Sequence, residues 1–268
     1  MTTSAVFPFP AAPQGAHVVV DPTELDELFS RHTEVNIYSL CDLEPPYWTH
    51  SRWYRRGDAT VGLVSNEPGE PFIVSAVSPA DREGSNALLG DLSPELADGQ
   101  LVIGCVGMSN AIAERRPVKW KTDEIRYVLG EPPLERSTRA QPLGGSHIAQ
   151  LESLYATEPG AAFFLPSMVA SNSFVGIWDD AGKDLIAAAG THVLSEPRRV
   201  AAIGAVYVRP DHRGNGLGKD VTLGVLERLA DRIDTIGLNS SRSNTPARQI
   251  YERLGFQPIL DFEEAKLE

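Results

Sequence analysis

Residues 208–220, VRPDHRGNGLGKD, constrain this chain more than any other stretch. They follow an apolar run, RVAAIGAVYV, and lead into a segment that places Val221, Val225, Leu226, Leu229 and Ile233 on one helical side. Three glycines within five residues (Gly214, Gly216 and Gly218) are costly for a chain that only has to turn a corner. A strand, a glycine-rich turn and a helix together make an anion-binding arrangement, because backbone N–H groups converge at the positive end of the helix. Without side chains in the way, a phosphate can approach the main chain.

Two versions of this device do not fit. A nucleoside-triphosphate loop needs Gly-Lys followed by Ser or Thr, whose hydroxyl binds magnesium. Here Gly218-Lys219 is followed by Asp220, and the residue five before Gly218 is Arg213. A dinucleotide fingerprint needs Gly-x-Gly-x-x-Gly and a later acidic ribose anchor. This loop is Gly-x-Gly-x-Gly, with no such anchor at the right distance.

Composition sets broad limits. With 268 residues, 42% of them apolar and 22% charged, the chain can bury a sizeable core, and its length slightly favours two domains. A formal net charge of −12 argues against a general nucleic-acid binder, although a local nest of N–H groups can still hold a small anion. No apolar run approaches the roughly 20 residues that span a bilayer, so no membrane partner is expected. The start, MTTSAVFPFPAAPQG, lacks a secretory pattern and reads as a flexible tail over residues 1–16. Cys41 and Cys105 read as buried reduced thiols, as in a cytoplasmic protein. The scattered histidines give no metal-ligand spacing, so no metal is expected.

The Pro- and Gly-rich stretch 130–146 reads as a linker. Before it, residues 21–32 and 85–92 carry helical patterns. DATVGLVS, PFIVSAV, QLVIGCV and WKTDEIRYVL read as strands, with NEPGE (66–70) as a hairpin turn. After it come a helix over SHIAQLESLYA, two strands around DDAGKD, the strand before the glycine loop, and the helix after it. TIGLNSS is a further strand. NTPARQIYERLG is a helix with Pro246 in its first turn and Gly255 at its end, and FQPILDF is a last strand.

Arg213-Gly214-Asn215-Gly216-Leu217-Gly218 resembles the Arg-x-x-Gly-x-Gly signature of the GNAT superfamily of acyl-CoA-dependent N-acyltransferases. Asn244, Ala247, Tyr251, Gly255 and Phe256 resemble that family's later Asn-x-x-Ala-x-x-x-Tyr-x-x-x-Gly-Phe segment. The resemblance covers 143–262. It implies an α/β (α+β) fold: a mixed, mostly antiparallel sheet flanked by helices in a GNAT domain at 140–268. The lobe at 17–135 resembles a degenerate second copy. It lacks the Arg-x-x-Gly-x-Gly signature, so it is expected to bind no cofactor.

The resemblance further implies that acetyl-CoA is the co-substrate and that an amine on a small molecule or peptide is the acceptor. Backbone groups of Val206, Tyr207 and Val208 would pair with the pantetheine arm. Arg213, Gly214, Asn215, Gly216, Leu217, Gly218 and Lys219 would hold the pyrophosphate, and Asn244 would contact the cofactor. Tyr251 would be the general acid, since a phenol with a pKa of about 10 stays protonated at neutral pH. It also lies on the apolar side of its helix with Ala247, Ile250 and Leu254, so a core role stands beside the catalytic one. The strand AAIGAVYV has no carboxylate to serve as base; Glu196 and His192 are the substitutes, while His192 and His212 also read as structural or exposed residues. The missing base keeps open a second class, a non-catalytic acyl-CoA sensor or scaffold. The aromatic stretch PPYWTHSRWYRRG reads either as a wall of the acceptor pocket or as an anchor of the first lobe. Oligomeric state leaves no mark in the sequence.

Overall fold

The computed structural model describes residues 9–45, 47–65 and 73–268, and the expected turn at 66–70 lies outside them. In chain order the first elements are β1 (His17–Val19), α1 (Thr23–Phe29), α2 (Ile37–Asp42), α3 (Tyr47–His50), β2 (Arg52–Arg56), β3 (Ala59–Val64) and β4 (Ile73–Ala76). Next come α4 (Arg82–Leu92), β5 (Leu101–Cys105), α5 (Met108–Ala113), β6 (Val118–Leu129), β7 (Gln141–Pro142) and α6 (Ile148–Tyr155). The last are β8 (Val175–Trp178), β9 (Leu185–Ser195), β10 (Val200–Val208), α7 (Leu217–Leu229), β11 (Thr235–Ser241), α8 (Thr245–Arg253) and β12 (Phe256–Leu267). The fold is mixed α/β, with mostly antiparallel strands.

Two compact units emerge. The first takes the described residues up to Arg126 with 241–243 and 260–268; the second takes 127–240 and 244–259. The expected division into 17–135 and 140–268 is therefore redrawn. Alternation in the last segment announces a strand but not its partner. The end of β12 pairs antiparallel with β5, from Phe262 opposite Cys105 to Lys266 opposite Leu101. This puts Ala265 and Leu267 into the first unit's core, beside Leu63, Leu88, Val102 and Ile112.

In the first unit the strands run β1-β2-β3-β4-β5-β12, antiparallel except for β4 with β5. A parallel pair requires a crossover, and α4 supplies it. Asp81 closes the head of α4: its Oδ1 accepts a hydrogen bond from the Gly84 N–H at 2.8 Å. The aromatic stretch before β3 is an anchor. Trp53 packs against Phe29, ring centroids 5.4 Å apart, and Tyr54 Oη donates to the Pro10 carbonyl at 2.7 Å. Residues 9–16, expected as part of a tail, are thereby held down; Phe9, Ala12 and Ala16 pack against the same core, and residues 1–8 lie outside the description. Both cysteines are free and buried.

The second unit orders its strands β7-β8-β9-β10-β11, antiparallel until the parallel pair β10–β11, which α7 connects. The stretch 130–146 is docked on this unit, not a free tether. Asp220 in the first turn of α7 accepts hydrogen bonds from Ser137 Oγ (2.7 Å), the Thr138 N–H (3.0 Å) and Arg139 Nε (2.6 Å). β7 then pairs with β8.

Leu267 is fully buried in the first unit. Replacing it with alanine should destabilise that unit by about 2–5 kcal/mol, read from urea unfolding followed by Trp53 fluorescence. A loss below about 1 kcal/mol would show that β12 contributes little to this core.

Candidate functional site

The site is built where two strands part. β10 and β11 pair in parallel from Val200 opposite Thr235 to Ile203 opposite Leu238, and β10 runs on to Val208 beyond the last pair. The glycine loop follows. Gly214 and Gly216 have φ of +83° and +74°, conformations that a side chain would strain, and a Cβ at Gly214 would meet nothing within 4 Å. Gly218 differs. Its φ is ordinary, and a Cβ there would make only ordinary contacts, 3.5 Å from Ile250 Cδ1 and 3.8 Å from Val208 Cγ2, so neither strain nor crowding requires glycine at this position.

Among the described residues, none accepts a hydrogen bond from the backbone N–H groups of Gly214, Asn215, Gly216, Leu217, Gly218 or Lys219. Six successive donors at the head of a 13-residue helix, with no side-chain cap, form a cradle of partial positive charge. The contrast with α4 is direct, because there a carboxylate already occupies the helix head.

Paired bulges shape the strand before the loop. The register passes from Ala202 opposite Val193 to Ile203 opposite Thr191, leaving His192 as an extra residue on β9. It shifts again between Gly204 and Tyr207, leaving an extra residue on β10, where Ala205 takes φ +52°. The Ala205 N–H donates to His192 Nε2 at 3.0 Å, and its carbonyl accepts from Tyr155 Oη at 2.7 Å. A Cβ at Gly204 would meet the His192 ring at 2.2 Å, so only glycine admits the ring there.

Residues 175–265 match the family model described as FR47-like protein. A mycothiol acetyltransferase from Pseudarthrobacter chlorophenolicus is 40% identical over 91 residues, which cover 30% of this chain and 28% of that protein. A Drosophila protein of solved structure superposes with a TM-score of 0.67 at 17% identity, over 96% of this chain and 99% of its own. A tandem GNAT protein from the clavulanic acid biosynthesis pathway superposes at 0.52 with 15% identity, over 94% and 98%. The chain shares the fold of these GNAT structures. The identity to the solved structures carries the fold alone, and the curated relative is matched over less than a third of its length.

In this GNAT fold the sequence-derived residues have unequal surroundings. The Val208 carbonyl accepts from Arg213 Nε at 3.1 Å, so that oxygen is taken. Val206 lies in the bulge, and Tyr207 pairs with Ala188 on β9. Arg213 turns back: it pairs with Glu158, and its guanidinium stands 5.8 Å from the centroid of the Tyr207 ring. Asn215 Nδ2 donates to the His212 carbonyl, Leu217 is buried, and Lys219 Nζ meets Glu135 at 2.7 Å. Asn244 Oδ1 caps α8 by accepting from the Ala247 N–H at 3.3 Å. Tyr251 is buried on α8, its ring 6.1 Å from Phe256, one residue past the Ile250 that packs toward Gly218.

Of the two candidate bases, Glu196 is paired with Arg232 on the surface and stands outside the loop's surroundings. His192 is held neutral: burial pushes its pKa down to about 4. Its Nε2 lies 3.0 Å from the Ala205 nitrogen and 3.2 Å from the Phe163 carbonyl oxygen. The sequence missed Tyr155, the Ala205 bulge and the Asp220–Arg139 latch. Asp220 was visible only as the residue that spoils a nucleotide motif.

An imidazole whose folded pKa lies below its unfolded value near 6.5 adds stability at neutral pH that is lost as pH falls from about 6.5 towards 4. Thermal melts should show this acid-side loss, on the order of 3 kcal/mol, and His192→Gln should remove it. An unchanged profile in the variant would place the acid sensitivity elsewhere.

Proposed function

We propose that the chain is an acetyl-CoA-dependent N-acetyltransferase acting on an amine by direct attack in a ternary complex. The observation that carries this reading is the row of six unpartnered N–H groups at the head of α7, preceded by two glycines with positive φ, in a GNAT fold. Such a cradle suits a pyrophosphate, and the open space at Gly214 leaves it room. Bound acetyl-CoA would supply an activated thioester.

The chain's own residues then have separate tasks. The N–H groups of Gly214 to Lys219 bind and orient the pyrophosphate, with Arg213 and Lys219 exchanging their exposed carboxylate partners for it. Backbone groups of Val206 and Tyr207, beyond the last β10–β11 pair, take the pantetheine arm, and the Asn244 amide borders it. Tyr251 Oη holds the proton that the departing sulfur needs. No carboxylate lies on β10, so the amine is deprotonated before or during attack without a base on that strand. In the first unit the Asp81 carboxylate closes the corresponding helix head, which we read as a degenerate lobe that holds no cofactor. The relative named a mycothiol acetyltransferase favours a small-molecule acceptor over a peptide. Two free thiols fit a cytoplasmic, reducing setting; among the described residues no helix is long and apolar enough to cross a membrane.

Calorimetric titration should show saturable binding of acetyl-CoA but not of ATP or NAD, abolished by Gly216→Val. Tyr251→Phe should keep the binding and lower turnover by about 10²–10⁴ with a competent amine. Unaltered turnover would remove Tyr251 as the acid. Binding without transfer to any amine in a broad screen would favour the sensor reading, which the lack of a carboxylate on β10 supports. Absence of acetyl-CoA binding by the folded protein would refute both.

A further inference from the structure

We propose that Arg139, carried to the glycine loop by the docked stretch 130–146, is an additional phosphate-contacting residue of the cofactor site. The inference rests on the reading of residues 213–219 as a coenzyme A loop. It adds a charge from outside the loop's own sequence.

The cations at the loop differ in how firmly they are held. Arg213 and Lys219 pair with Glu158 and Glu135, all four side chains being well exposed. Surface pairs of this kind contribute little and can rearrange. Arg139 is held by a buried carboxylate, since the Asp220 side chain is 8% exposed. Ser137 Oγ and the Thr138 N–H both occupy Oδ1 of that carboxylate, and Arg139 Nε meets Oδ2 at 2.6 Å.

The geometry of this pair is unlike that of a purely structural arginine. Arg199 meets Asp234 through Nε and Nη2 at 2.7 Å each, one to each oxygen, which is the bidentate form. Arg139 gives Asp220 only Nε. Its Nη2 lies 3.4 Å from the Asn215 carbonyl and 3.8 Å from the point a Gly216 Cβ would occupy. Its Nη1 has no acceptor among the described residues. The guanidinium is thus fixed by Nε, with a longer hydrogen bond from Nη2 to the loop itself, while Nη1 is left at the rim of the cradle. A planar fork anchored in this way is suited to an incoming phosphate, and little conformational entropy is left to lose.

Coenzyme A offers two sources of phosphate, the pyrophosphate and the 3′-phosphate. The test is calorimetric titration of the full chain with coenzyme A and with 3′-dephospho-coenzyme A, for wild type and Arg139→Gln, alongside thermal melts. Arg139→Gln should raise the Kd for coenzyme A about tenfold, as expected for loss of a charge-assisted hydrogen bond. If the loss persists with the dephospho compound, the contact is to the pyrophosphate; if it vanishes there, the contact is to the 3′-phosphate. Should Arg139→Gln misfold because Asp220 is left unpaired, the Asp220→Asn and Asp220→Asn/Arg139→Gln variants give the same comparison without a buried charge. Equal affinity with and without the arginine, in a protein whose wild type binds coenzyme A, would overturn the proposal and leave Arg139 as a partner of Asp220 alone. Failure of the wild type to bind would overturn the coenzyme A reading itself, and this proposal with it.

Discussion

Four residues of parallel pairing, Val200–Ile203 against Thr235–Leu238, fix where everything else in the second unit must go. A parallel pair cannot be closed by a hairpin, so the chain returns through a helix whose head lies beyond the end of β10. That places the unpaired N–H groups of α7 next to a strand that has already left its neighbour. The bulge at Ala205 belongs to the same arrangement. A non-glycine residue with positive φ is strained by roughly 1–2 kcal/mol, and the surroundings must hold it there. Tyr155 and His192 do so by satisfying its carbonyl and its N–H.

The two units show the same crossover with opposite chemistry at the helix head. In the first, β4, α4 and β5 repeat the strand–helix–strand order with a parallel pair, and an aspartate caps the helix. In the second, glycines leave the head open. A carboxylate is a tethered anion. Where the chain supplies one, the helix gains stability; where it withholds one, the same dipole is left for a ligand. The open end of α7 therefore costs the fold a cap.

The sequence made the glycine loop legible because positive φ leaves a residue-type signature, and Gly214 and Gly216 carry it. It overcounted by one, since Gly218 has an ordinary φ and room for a Cβ beside Ile250. The apolar periodicities of α7 and α8 were equally legible. The bulges were not: Ala205 and His192 are ordinary residues for a strand, and only their pairing across β9 and β10 reveals the extra residue. The latch between Asp220 and residues 137–139 joins positions about eighty apart by side-chain hydrogen bonds, and no local pattern announces such a pair. The partner of the last strand was hidden for a similar reason, because alternation fixes a strand's faces but not its neighbour.

The placement of β12 also sets an order of events during synthesis. The first unit holds the earliest residues of the described chain, yet Ala265 and Leu267 are among its core residues. When residues 9–126 leave the ribosome, the edge of β5 still lacks the strand that covers it. All the residues of the second unit emerge before 260–268 do. The usual N-terminal-first order is thereby reversed for completion, if not for initiation. Until then β5 presents an uncovered strand edge, the kind of surface on which nascent chains pair wrongly. The half of the molecule that carries the glycine loop can be finished first, and the half made first has to wait.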